Sequence, residues 1–308
     1  MSIWIGIDVA KATLAVHVHP EGRFLSLPNS PEGYAQLLAY VAGRPVGNVL
    51  LEAPGGYDRP VMRALAAAGL PVTRINPRRA RAFAQALGKT AKTDPIDAAL
   101  LARMGELVVA ARMHPSAEQE ELRALVQRRE QLVQQRDDDR RRLKQATHER
   151  VRTSLITHIS WLRAQIRDIA KDIAQLQRQV DDDLAQRLMA VPGIGEVTAA
   201  SLQAYLPELG HLDRREIAAL AGLAPYNADS GQKEGKRRIR GGRSAIRRVL
   251  YMASWSVIRT QPDFKARYER LRAQGKCAKL AITACMRVLL IRLNAMARDQ
   301  TEWISAQG

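Results

Sequence analysis

Eight apolar residues, Leu155, Ile159, Leu162, Ile166, Ile169, Ile173, Leu176 and Val180, recur at alternating intervals of four and three. Only a helix sets such a series on one stripe, and a heptad seam sustained this long requires a second helix to cover it. From about Ser116 to Val180 glycine and proline are absent, and Arg, Gln, Asp and Leu dominate. Upstream, Leu122, Leu125, Leu132 and Leu143 form a less regular series, broken by Arg129, Arg136 and Asp139. Residues 116–183 therefore read as two long helices joined near Thr147–Ser154. They pair either as an intrachain hairpin or as a contact between two copies. The runs Asp137–Asp139 and Arg140–Arg142 fit solvated faces.

The segment before this, residues 1–115, has another grammar. Ile3, Ile5 and Ile7 alternate with Trp4, Gly6 and Asp8, the period of a strand that ends near Asp8. Strands are expected at Thr13–Val18 and Arg23–Leu27, with Pro-Glu-Gly as the turn between them, giving an antiparallel meander. Asn29-Ser30-Pro31-Glu32 starts a helix. A fourth strand, Gly47–Leu51, runs into Glu52; a helix follows the Ala53–Gly56 break, then a fifth strand, Pro71–Ile75. Arg78, Arg79 and Arg81 open the next helical piece, and Asp94-Pro95 opens another, where a proline suits the first turn.

The order β-β-β-α-β-α-β-α predicts a mixed sheet whose last strands are joined by crossover helices. Asp8 and Glu52 would end neighbouring strands, and Asp94 and Asp97, three apart, share one helix face. The plain alternative for the aspartates is first-turn capping and dipole compensation. Four gathered carboxylates repel one another, and divalent cations remove that cost. Oxygen-only ligands select Mg²⁺ or Mn²⁺, and two such ions clamp a phosphodiester.

Charge narrows the partners. Lys and Arg number 48 against 31 Asp and Glu, a net +17, which points to a polyanion, nucleic acid before an anionic membrane surface. No stretch reads as a membrane-spanning helix, the N-terminus lacks a signal-peptide pattern, and two cysteines are too few for a disulfide scaffold. A reducing, cytoplasmic setting is expected.

Residues 184–308 read as mostly helical. Val191-Pro192-Gly193-Ile194-Gly195 resembles the turn of a helix-hairpin-helix element, where Gly193 and Gly195 permit a tight turn and amide groups meet a phosphate. A packed corner in the core is the competing reading. Leu223–Gly231 is a loop by composition, and the most basic stretch follows, with Lys236, Arg237, Arg238, Arg240 and Arg243 leading to a helix that carries Arg247. Arginine among glycines lets a backbone phosphate come close. Ser244 reads as that helix's N-cap, and Tyr251 as a packing residue.

Together, Gly6–Lys11 (GIDVAK), Leu51–Asp58 (LEAPGGYD) and Lys92–Arg103 (KTDPIDAALLAR) resemble the DEDD transposases of bacterial insertion sequences, which include Piv-type DNA invertases and bridge-RNA-guided recombinases. The resemblance covers nearly the whole chain. It implies an N-terminal RuvC-like ribonuclease H fold whose acidic tetrad is Asp8, Glu52, Asp94 and Asp97. It also implies a helical transposase domain whose Ser-Gly pair, here Ser230-Gly231, carries a serine nucleophile. The expected partners are donor and target DNA, a structured guide RNA, and further copies of the chain as a dimer or tetramer. A junction-resolving endonuclease using water and a non-catalytic nucleic-acid scaffold are the rival readings.

Overall fold

The computed structural model describes residues 2–52, 55–89, 93–108, 115–227 and 237–304, which divide into two compact units, Met1–His114 and Pro115–Gly308. In the first, β1 (Ile3–Val9), β2 (Thr13–His19) and β3 (Arg23–Pro28) form the meander. Helix α1 (Pro31–Val41) leads to β4 (Val46–Glu52), and α2 (Arg59–Ala67) to β5 (Val72–Arg74). The sheet order is β3-β2-β1-β4-β5, antiparallel on one side of β1 and parallel on the other. Helices α3 (Pro77–Ala86) and α4 (Asp94–Leu107) complete the unit.

Strand alternation assigns the two faces. Ile3, Ile5 and Ile7 pack with Val49 and Leu51, and with Leu37 of α1 and Val61 and Leu65 of α2. Burial of Ile5 and Ile7 is complete, and each contributes about 2 kcal/mol by removing its side chain from water. The opposite face presents Leu50, covered by Leu101 and Met104 of α4 and by Ala80 and Phe83 of α3. Gly6 sits on that same face: a Cβ there would stand 2.8 Å from the Leu101 carbonyl carbon, and nearer still to the backbone of Ala98 and Ala102. Glycine at this position thus lets α4 lie directly on β1.

In the second unit, α5 (Ala117–Gln145) begins with a capping box between Ser116 and Gln119. Only residues 146–148 separate it from α6 (Glu149–Met189), so the two helices fold back on each other. Leu132 clusters with Leu162 and Ile166, and the Asp139 carboxylate meets His158 Nδ1 at 2.6 Å. The heptad seam is therefore covered within the chain, as a hairpin. Near its base α6 breaks at Asp181, whose backbone is non-helical and whose carboxylate accepts from the Leu184 amide at 2.8 Å, restarting the helix.

Beyond the hairpin lie α7 (Glu196–Tyr205), α8 (Arg214–Leu220), the strands β6 (Pro225–Tyr226) and β7 (Arg238–Ile239), α9 (Ser244–Thr260), α10 (Pro262–Ala273) and α11 (Ala278–Asp299). Leu122, Val126, Ile173 and Leu176 of the hairpin share one core with these helices. Two expectations are corrected here. The 22-residue α11 is long and apolar enough by composition to cross a membrane, although its Ile282, Cys285, Leu289 and Leu293 lie in the unit's core. The cap position of α9 belongs to Arg243, with Ser244 the first helical residue.

Candidate acidic cleft and nucleic-acid interface

Parallel pairing of β1 with β4 brings Asp8 directly opposite Glu52. Both are half-buried and lie on the sheet face that α4 covers. On α4 the cap position is held by Thr93, whose side chain makes no capping hydrogen bond, so Asp94 and Asp97 are first-turn residues. Asp94 is exposed. Asp97 is half-buried and lines, together with Glu52, a cleft of about 680 Å³ between α3 and α4. Its other walls include Arg78, Arg81 and Lys89, and its floor Phe83, Leu101 and Met104.

The donor chemistry suits a hard divalent cation, because every candidate ligand is a carboxylate oxygen. Among the described residues no group of three or more His, Cys, Asp and Glu is gathered as a ready metal cage.

In the second unit, Gly193 adopts φ +96°, and a Cβ there would lie 2.7 Å from Ser256 Cβ of α9. Its turn is therefore seated against the core. Gly195, the N-cap of α7, has open space where its Cβ would be, so only this glycine leaves room for a ligand's approach. The basic stretch is partly a strand: Tyr226 pairs with Arg238, and Pro225 with Ile239. Two-residue strands leave no periodicity in a sequence, so this ribbon was not foreseen. Ser230 and Lys236 fall between β6 and β7, outside the described residues.

The arginines of this stretch separate into two groups. Arg237, Arg238 and Arg240 are exposed. Arg243 instead grips Glu208 with two nitrogens, both at 2.6 Å, and donates to the Tyr205 carbonyl at 2.8 Å. Arg247 donates to the carbonyls of Gly241 at 2.6 Å and Ala221 at 3.2 Å, tying the turn before α9 to the end of α8. Tyr251 is exposed, against its reading as a packing residue, and meets Trp255 edge-on.

Paired acids on a mixed sheet stand in one unit and a run of exposed arginines in the other, and the family comparisons specify what kind of chain carries them. A DEDD-type model described as transposase matches residues 5–150. A second, described as the IS116/IS110/IS902 transposase family, matches residues 185–269. The chain is thus a transposase, an enzyme that cleaves and rejoins DNA. It belongs to the IS110 family of DEDD transposases. Pilin gene-inverting proteins of Moraxella lacunata and Moraxella bovis are 27% and 28% identical to it, each alignment covering 96% of both chains. A transposase for insertion sequence element IS1111A from Coxiella burnetii is 25% identical over 75% of this chain and 70% of the relative.

Proposed function

We propose that the chain carries out site-specific strand exchange on an insertion element, with Asp8, Glu52, Asp94 and Asp97 as its acidic tetrad and Ser230 as its nucleophile. The observation that carries this reading is Asp8 opposite Glu52 beneath a helix whose Asp97 lines the same cleft as Glu52. A meander followed by parallel strands, with α4 over the acidic face, supports a RuvC-like ribonuclease H fold for the first unit. The tetrad would hold Mg²⁺ or Mn²⁺, whose charge would stabilise the phosphorane-like transition state.

The serine hydroxyl gives up its proton as its oxygen attacks a DNA phosphorus, and the bond to one deoxyribose oxygen breaks as that oxygen takes up a proton. One phosphodiester replaces another, so its energy is kept and the strands rejoin without ATP. That economy suits inversion, the process in the names of the two Moraxella relatives. Arg237, Arg238 and Arg240, with Lys236, serve phosphate contact, while Arg243 and Arg247 hold the platform beneath them. The turn at Gly193–Gly195 acts as the helix-hairpin-helix contact to a backbone phosphate. A structured guide RNA selecting donor and target, assembly of two or four copies, and a cytoplasmic setting complete the reading.

The test is metal rescue. After chelation, Mg²⁺ or Mn²⁺ should restore cleavage of donor DNA and Ca²⁺ should not, and Asp8→Asn should be inactive in all three. Full activity in EDTA would refute the role given to the carboxylates.

A further inference from the structure

Helix α3 is built against its own electrostatics. Its sequence, PRRARAFAQA, places Arg78 and Arg79 in the first turn and Arg81 just beyond, with no acidic residue anywhere in the helix. Cations at a helix N-terminus oppose the macrodipole. Among the described residues no ion pair involves Arg78, Arg79, Arg81 or Lys89. The helix also has no buried residue, and it rests on the unit through the half-buried Ala80 and Phe83. A surface helix that bears uncompensated like charges at its positive end is suited to receive an anion.

The place where those charges stand says which anion. Arg78, Arg81 and Lys89 line the same cleft as Glu52 and Asp97. A phosphodiester held over the carboxylates would put its neighbouring phosphates within the basic wall. The floor, Ala80, Phe83, Leu100, Leu101 and Met104, offers apolar surface to deoxyribose and base faces. Pockets of about 300–1,000 Å³ enclose a drug-sized molecule. A cleft of about 680 Å³ therefore has room for a nucleotide or two of one strand.

We infer that the cleft between α3 and α4 is a single-strand DNA track, in which Arg78, Arg81 and Lys89 are positioning residues that hold the phosphates flanking the scissile one. The inference rests on the carboxylate reading above and adds the substrate form: the strand enters this unit already separated from its complement.

The experiment uses full-length protein carrying Asp8→Asn, in EDTA, so that binding is read without chemistry. The probe is a labelled single-stranded oligodeoxynucleotide, followed by anisotropy across a salt series. Three lost phosphate contacts should flatten the slope of log K against log salt by about 2, at about 0.7 per contact on a single strand. The triple variant Arg78→Ala, Arg81→Ala, Lys89→Ala should show that loss. Its thermal midpoint should hold, since Arg78 and Arg81 oppose the helix dipole while Lys89, past the C-terminal end, favours it. Arg78→Lys with Arg81→Lys should retain the slope, as a phosphate contact requires charge and not the guanidinium shape. An unchanged slope in the triple variant would overturn the track, and so would a loss confined to an oligoribonucleotide. The two readings separate cleanly. If Asp8→Asn cleaves DNA like the wild type while the triple variant loses its slope, the carboxylate assignment falls and the track stands.

Discussion

The close seating of α4 on β1 predicts that Gly6→Ala disables the enzyme without altering any carboxylate. The added Cβ would stand 2.8 Å from the Leu101 carbonyl carbon, where carbon–carbon contacts prefer about 3.5–4.0 Å. Backbone atoms of Ala98 and Ala102 are closer still, and backbone cannot swing aside as a flexible side chain does. Helix α4 would have to withdraw by roughly 1 Å, and Asp97 would move with it away from the Asp8–Glu52 pair. Overpacking of this kind costs about 1–3 kcal/mol. In a unit of about this size, that lowers its unfolding midpoint by roughly 5–20 °C. Displacement of a reacting group by about 1 Å costs on the order of 10²-fold in rate. The assay pairs calorimetry with donor-DNA cleavage, run well below both unfolding transitions so that lost activity is not lost fold. Wild-type stability together with wild-type rate would show that α4 does not rest on Gly6, and the argument placing Asp97 beside the strand pair would fail.

Three further outcomes concern the second unit. Arg243→Ala removes a two-pronged ion pair with Glu208, whose side chain is only 18% exposed, and should cost about 1.5–3 kcal/mol in urea unfolding. Arg238→Ala, at an exposed ribbon position, should leave stability within about 0.5 kcal/mol and instead weaken nucleic-acid binding with a shallower salt dependence. Burial above all, with Glu130 adding to it, pushes the Tyr205 phenol up to about 12. An unfolded tyrosine ionises near 10, so between about pH 10 and 12 the unfolded chain binds fewer protons than the folded one and stability falls as pH rises. Tyr205→Phe should remove that part of the alkaline slope; an unaltered slope would place its origin elsewhere.

Much of the fold could be read from periodicity. The Ile3-Ile5-Ile7 alternation and the heptad stripe from Leu155 to Val180 each specify one element by its own local pattern, and all five strands of the sheet were foreseen within a residue or two. What escaped depends on partners far away in the chain. The seam alone could not choose between a hairpin and a contact between copies; that choice lies in pairs such as Asp139 with His158. The basic stretch looked uniform because the groups that occupy Arg243 and Arg247, namely Glu208 and the carbonyls of Tyr205 and Ala221, come from other segments. Gly6 is, in the sequence, only one member of the strand's alternation, yet the space above it is filled by the backbone of α4. Arg78 and Arg81 registered only as the start of a helix, since a sequence does not disclose that α3 forms one wall of the cleft containing Glu52.

Trapping of a covalent protein–DNA adduct tests the proposed chemistry most directly. Wild-type protein is incubated with Mg²⁺ and end-labelled donor DNA, denatured, and resolved for label that migrates with the chain, beside Ser230→Ala and Asp8→Asn. The account predicts an adduct with wild type alone, mapping by peptide mass to Ser230, because the alanine lacks the attacking oxygen and the asparagine lacks a tetrad carboxylate. Cleavage by wild type with no adduct, or an adduct that persists in Ser230→Ala, would contradict it.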